Sequence, residues 1–212
     1  MLLPLSMKKM EYKTKNLLLR NEHIYLESEK SHWIYYLVEG TVRIYKAHPS
    51  KSNYFTLQII QEGNFFGYNE VFTKERVRMS SAAVLSKYAI IEKHRIEDFF
   101  TKLIEDEVFF SELYSLSSIY KNQLWERFYV FREYESFRKI AWMLMKMASP
   151  TDQNEEILEI KNYTHLLLGQ YTGSSRQTIT SALNEYRKMG IIEYNREHIL
   201  IKKTLMLQLI NK

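Results

Sequence analysis

Residues 173–190 read GSSRQTITSALNEYRKMG, a segment in which Arg176, Gln177, Thr180, Ser181 and Asn184 fall on one face of a helix and Ile179, Leu183 and Tyr186 on the other. The first face offers one long cation and several short hydrogen-bonding groups, with no acid among Arg176, Gln177, Thr180 and Ser181. A helix that only meets water usually carries Glu and Lys four residues apart. This face instead suits the base edges of a DNA major groove, where an Arg takes guanine O6 and N7 and a Gln takes adenine N6 and N7. On these residues alone, a DNA-facing helix and a solvated one are both open.

The flanking residues show how such a helix would be held. Ser174 is a favourable N-cap, and Gln177 three residues on completes an S-x-x-Q capping box, so Gln177 has a capping role and a base-reading role in competition. Just upstream, YTHLLLGQYTG reads as a short helix ending at Gly173. Two helices joined by a glycine-containing turn can cross steeply, as in a helix-turn-helix, with Leu167 and Tyr171 packing on Ile179 and Leu183. Downstream, IIEYNREHILIKK alternates around Asn195 and Arg196 as a β-hairpin would, bringing Arg196, Lys202 and Lys203 where they could rest on phosphates.

Two further periodicities precede this region. From about Asn16 to Lys93 short β-branched and aromatic segments alternate with turns, among them HIYLES, WIYYLVEG, TVRIYKAH and YFTLQIIQEG, which predicts a sandwich or barrel-like roll. Gly40, Gly63 and Gly67 fall where its strands must turn. From Asp106 to Tyr134 the chain has neither Gly nor Pro, and Phe109, Leu113, Leu116, Tyr120, Leu124, Phe128 and Phe131 recur at steps of 4, 3, 4, 4, 4 and 3. That is a long helix. Its stripe must be covered either by its own β domain or by a second copy in a coiled coil, and both remain open. In the second case Leu113, Leu116, Tyr120, Leu124, Phe128 and Phe131 form a dimer interface. Beyond it, SFRKIAWMLMKMAS is an amphipathic helix ended by Pro150, SPTDQNEE a surface loop and EILEI a short strand.

Composition limits the function classes. The 212 residues are 45% hydrophobic and 26% charged, enough for a substantial core. With no cysteine, disulfides and cysteine-held iron–sulfur clusters are excluded, and a cytoplasmic setting is expected. No apolar run is long enough for a membrane helix, and MLLPLSMKKMEYK has too short an apolar stretch for a secretory signal, so no membrane partner is expected. The formal charge of +5 is uneven: residues 136–212 hold 11 Lys and Arg against 7 Asp and Glu, residues 1–135 hold 19 against 18. The basic bias lies with the last segment. His23, His32, His48, His94, His165 and His198 show no paired spacing suited to haem, and no H-x-H, G-x-S-x-G or phosphate-binding glycine loop occurs, so neither a metal nor an enzyme is expected.

TGSSRQTITSALNEYRKMGII followed by its hairpin resembles the winged helix-turn-helix of the Crp/Fnr superfamily, with the G-x-S-R-x-T core present as Gly173, Ser175, Arg176 and Thr178. HIYLESEKSHWIYYLVEGTVRIYK and EGNFFGYNEVF resemble that family's β-roll, and the long helix falls where the family has its dimerisation helix. The resemblance implies an α+β chain of three parts: a cyclic-nucleotide-binding-like β-roll over residues 1–105, a dimerisation helix over 106–135 and a winged helix-turn-helix over 136–212. It also implies a homodimer that binds a palindromic site on double-stranded DNA, controlled through the roll by an effector the sequence does not identify, with RNA polymerase as a further partner. Arg176, Gln177 and Ser181 would then face base edges and Ser175 and Thr178 phosphate, Thr180 lying on the same face. Many members carry Glu where this chain has Gln177, and Arg where it has Ser181, so its half-site should differ from theirs.

In cyclic-nucleotide-binding members the phosphate-binding cassette carries a Gly-Glu pair and a later Arg. Here the pair is Gly67-Tyr68 and the Arg is Arg78, which make up the candidate effector pocket. Tyr68 replaces the Glu that would hold the ribose, and Glu70 could substitute only through a reshaped loop. A buried nucleotide hydroxyl without its partner costs roughly 1–3 kcal/mol. Cyclic AMP is therefore not expected, and Arg78 is expected at the surface or in a salt bridge. The rival to a DNA-binding regulator is a ligand-sensing interaction module whose helical domain docks protein.

Overall fold

The computed structural model describes residues 14–47, 54–151, 154–161 and 163–211; His48 and the N-terminal segment lie outside them. The chain divides into two units, Met1–Asn122 and Gln123–Lys212.

In the first unit the strands are β1 (Thr14–Leu19), β2 (His23–Tyr25), β3 (Trp33–Glu39), β4 (Thr41–Ala47), β5 (Tyr54–Gln61), β6 (Phe65–Phe66), β7 (Ser81–Val84) and β8 (Tyr88–Arg95). They form two four-stranded sheets, in the orders β1-β8-β3-β6 and β2-β7-β4-β5, with antiparallel pairing throughout. The period of two in β3 decides its packing. Tyr35 and Leu37 point between the sheets with Tyr25, Val42, Ile44, Ile60, Val84 and Ile91. Ile34 and Tyr36 point the other way, toward helices α1 (Ile96–Glu105) and α2 (Glu107–Glu133). Both faces of β3 are thus covered, which is why WIYYLVE reads as a nearly continuous apolar run.

Helix α2 begins where Asp106 accepts the Phe109 backbone N–H at 2.9 Å, and the same carboxylate meets Lys102 Nζ at 2.5 Å. These two contacts hold the Asp106 carboxyl below the usual carboxylate range. Phe109, Leu113 and Leu116 then enter the roll's second core with Ile34, Phe65, Tyr68, Val71, Ile96 and Phe99, and Tyr120 packs at its edge. Leu113 and Leu116 are only 4% and 6% exposed inside one chain, so this part of the stripe is spent on the roll's own core.

The second unit starts within α2 and continues through α3 (Ser136–Met147), β9 (Ser149–Thr151), β10 (Asn154–Lys161), α4 (His165–Thr172), α5 (Arg176–Lys188), β11 (Ile192–Tyr194), β12 (His198–Lys202) and α6 (Lys203–Ile210). Its sheet runs β11-β12-β10-β9, and its core gathers Ile140, Leu144, Leu168, Ile179, Leu183, Tyr186, Ile199, Ile201 and Met206. Ser149–Thr151, expected in a loop, instead pairs with β10 as an edge strand, where Pro150 needs no ladder N–H. Helices α1 and α6 have no counterpart in the sequence reading. Among the described residues no helix is long and apolar enough to cross a membrane.

Candidate nucleic-acid interface

The expected helix-turn-helix is α4 and α5. Thr164 caps α4 by accepting the Leu167 N–H at 3.0 Å, and Gly173 ends it in the left-handed region at φ 67°. A side chain at Gly169 would place its Cβ 2.6 Å from the Ser174 carbonyl oxygen, so the tight turn depends on that glycine as well. Leu168, rather than Leu167, joins Ile179 and Leu183 in the core. Tyr171 points elsewhere: its carbonyl accepts Arg127 Nη2 at 2.5 Å and its ring lies 4.4 Å from the same guanidinium.

The N-cap of α5 is Ser175, one residue later than the capping box predicted. Ser175 Oγ accepts the Thr178 N–H at 3.0 Å and lies 2.8 Å from Thr178 Oγ1. The frame shift puts Gln177 inside the first turn and separates it from the box with Ser174. Arg176, Gln177 and Ser181 are exposed, while Ile179, Leu183 and Tyr186 are fully buried. Thr180 is partly tied down: its hydroxyl lies 2.8 Å from His165 Nδ1 and donates to the Arg176 carbonyl at 2.9 Å. Asn184 accepts from the Tyr194 hydroxyl at 2.9 Å and from Arg187 Nη2 at 3.3 Å, which ties the outer face of α5 to β11. The contacts of His165 and Tyr194 span 15 and 10 residues, separations for which sequence spacing gives no signal.

The hairpin of β11 and β12 closes through Asn195, whose N–H donates to the His198 carbonyl at 3.1 Å and whose Oδ1 accepts from Glu197 and His198. Arg196 and Lys202 are exposed there, and Lys203 opens α6. One face therefore carries Arg176, Gln177 and Ser181 without an acid in the first turn of α5. Positive side chains, short polar groups and a rigid helix start are what base-edge and phosphate contacts need.

In the roll, Gly67, Tyr68 and Arg78 do converge, but not as an open anion site. Arg78 is 2% exposed; its Nη1 donates to the Gly67 carbonyl at 2.7 Å and meets Glu70 Oε2 at 3.3 Å, and its Nη2 donates to the Trp33 carbonyl. Tyr68 is buried in the core against α2. The histidines are scattered: His23 meets Tyr45, His165 meets Thr180, His198 meets Glu159, His94 is buried and His32 exposed. Among the described residues no three His, Asp or Glu gather to hold a metal.

The profile of the cyclic nucleotide-binding domain matches residues 16–102, and that of the Crp-like helix-turn-helix domain matches residues 138–210. The chain belongs to the Crp/Fnr superfamily. It is a DNA-binding transcription regulator by that membership. A comparison with curated protein sequences gives no match. Among solved structures the fold of this Crp/Fnr chain is similar to FixK2 from Bradyrhizobium japonicum, with a TM-score of 0.78 at 17% identity over 92% of this chain and 96% of that one. It is similar too to a CooA mutant from Carboxydothermus hydrogenoformans (TM-score 0.77, 17% identity, 99% and 96% covered). A cyclic nucleotide-binding domain containing protein from Listeria monocytogenes EGD-e gives a TM-score of 0.71 at 18% identity, with 92% and 91% covered.

In the roll of this Crp/Fnr chain the arginine is paired and the space beside it is narrow. The arginine that would meet the phosphate is already neutralised by Glu70, and the cavity beside it measures about 50 Å³, bounded by Tyr25, Gln58, Tyr68, Glu70, Ser80 and Tyr120 among others. Ligand pockets for molecules of nucleotide size run to roughly 300 Å³ or more.

Proposed function

We propose that this regulator acts in the cytoplasm as a homodimer that inserts α5 of each copy into successive major grooves of a two-fold symmetric operator. Arg176, Gln177 and Ser181 read base edges, and Ser175, Thr178 and Thr180 steady the helix on the backbone, with Arg196 and Lys202 on flanking phosphates. The observation that carries this reading is the exposed, acid-free start of α5, capped by Ser175 so that Gln177 is free to reach outward. Thr180 contributes less to base reading than its position on the face suggests, because its hydroxyl is shared with His165 and the Arg176 carbonyl.

Dimer contacts come from the parts of α2 that the single chain leaves open. Its first half exposes Phe110 and Tyr114, and its second half exposes Leu124, Trp125 and Phe128, each more than half accessible. Phe131 is less available, since Arg127 and Lys139 lie over its ring at 5.3 and 5.0 Å. Bound at a promoter, such a dimer meets RNA polymerase, and promoter position decides whether it activates or represses.

Selection of genomic fragments by the purified full chain, at about physiological salt and without added ligand, tests the reading. Recovery of a palindromic motif with half-sites one helical turn apart, about 34 Å, is the expected result. Recovery of no motif, with or without cell extract, counts against it.

A further inference from the structure

Both terminal nitrogens of Arg78 are engaged without any ligand. Its guanidinium donates to two backbone carbonyls, of Gly67 at 2.7 Å and of Trp33, meets Glu70 Oε2 at 3.3 Å, and lies 4.2 Å over the Tyr25 ring. Glu70, itself 6% exposed, uses its other oxygen to accept the Met79 N–H at 3.4 Å. This is an anion held at a buried cation by the chain's own carboxylate, with the remaining donors and acceptors supplied by backbone. Tyr25, Tyr35 and Phe66 stack beside it at centroid distances of 5.3 to 6.5 Å.

Tyr68 does the corresponding work on the helix side. Its ring is 3% exposed among Ile34, Phe65, Phe99, Phe109 and Leu113, and its hydroxyl lies 3.5 Å from Ser117 Oγ on α2. Next to it the Tyr120 hydroxyl donates to Asn64 Oδ1 at 3.4 Å. Two hydroxyl contacts and an apolar core thus join the segment around β6 to the first half of α2. The cavity that remains, about 50 Å³, has room for one or two waters.

We infer that the roll is self-liganded: the Glu70 carboxylate stands at Arg78 as a built-in anion and Tyr68 fills the adjoining space, holding α2 on the roll with no cyclic nucleotide. The regulator's DNA-binding form is then independent of such an effector, a consequence that rests on the reading above, whereas the occupancy of the site does not.

The test is therefore made on ligand binding, apart from DNA. The purified full chain is titrated calorimetrically with cyclic AMP and cyclic GMP to 1 mM, a concentration on the order of that which detects millimolar affinity. No binding heat and no rise in Tm are expected; saturable binding of either nucleotide overturns the inference. A second arm compares the wild type with Glu70→Gln in sodium sulfate and sodium chloride of equal ionic strength. Sulfate stabilises folded proteins in general, so the difference between the two chains is what counts. A sulfate-specific Tm rise several degrees larger in Glu70→Gln is expected, because Arg78 then lacks its built-in negative charge and draws an anion from solution. Equal rises in both chains overturn the built-in anion. Should Glu70→Gln not fold, Glu70→Gln combined with Arg78→Met removes both charges, and return of a cooperative melt is expected if the two side chains act as one unit; a double variant that also fails to fold overturns it.

Discussion

At the scale of single residues, the position of one cap decides what Gln177 can do. With Ser175 as N-cap, Ser175→Ala is expected to cost about 1 kcal/mol of stability, while Gln177→Ala leaves the Tm unchanged and alters base preference at one pair. Thermal melts alongside binding to a panel of operator variants separate the two effects. Arg176→Ala should lose roughly 1–3 kcal/mol on the specific site and relax the choice of one base; unchanged affinity and preference would remove α5 as the reading helix. A buried histidine gives a pH signature of its own. Burial lowers the His94 pKa from 6.5 to about 4, partly offset by Asp98, so between those values the unfolded chain binds a proton that the folded chain refuses. Stability is complete above about pH 6.5, falls as the pH drops, and by about pH 4 has lost roughly 2–3 kcal/mol. Denaturant melts across that range should show the slope, and His94→Gln should flatten it.

At the scale of elements, α2 carries two faces with different work. Leu116 contributes to the roll's own core, where fully burying such a side chain stabilises by about 1.5–3 kcal/mol, and a carboxylate there has no partner. Leu124 is 62% exposed. Leu116→Glu is therefore expected to unfold the chain, whereas Leu124→Glu or Phe128→Glu keeps the fold and shifts the sedimentation profile from dimer toward monomer. A folded Leu116→Glu protein would contradict the packing. The turn between α4 and α5 is similarly exposed to a single change: Gly169→Ala brings a methyl to 2.6 Å from the Ser174 carbonyl, and a lowered Tm with weakened DNA binding is the expected result. Much of this element layout was legible in the sequence. The 3.6 period marked α2 and α5, and the alternation around Asn195 marked the hairpin. Helix α6 was not, because KTLMLQLI is too short to show a period.

At the scale of the whole molecule, the proposed homodimer, with its two α5 helices about one helical turn apart, would displace many counterions at once. Operator binding is accordingly expected to weaken steeply between about 50 and 200 mM salt, on the order of a thousandfold if six or more phosphates are contacted. A shallow dependence would favour a protein-docking module. The sequence by itself determined the family, through the G-x-S-R-x-T core in its order after the roll and the long helix, because local periodicity and motif spacing are properties of the chain alone. The resemblance also implies that Tyr68 stands where cyclic-nucleotide-binding members carry the Glu that holds the ribose. Only the tertiary structure decided which half of the stripe on α2 is spent: Leu113 and Leu116 obey the same helical period as Leu124 and Phe128, and the period cannot say which surface lies opposite. The same holds for Arg78. Its type suits a phosphate, yet the fold brings the Glu70 carboxylate to 3.3 Å and two carbonyls within reach, and a buried charge takes the partners that lie nearest.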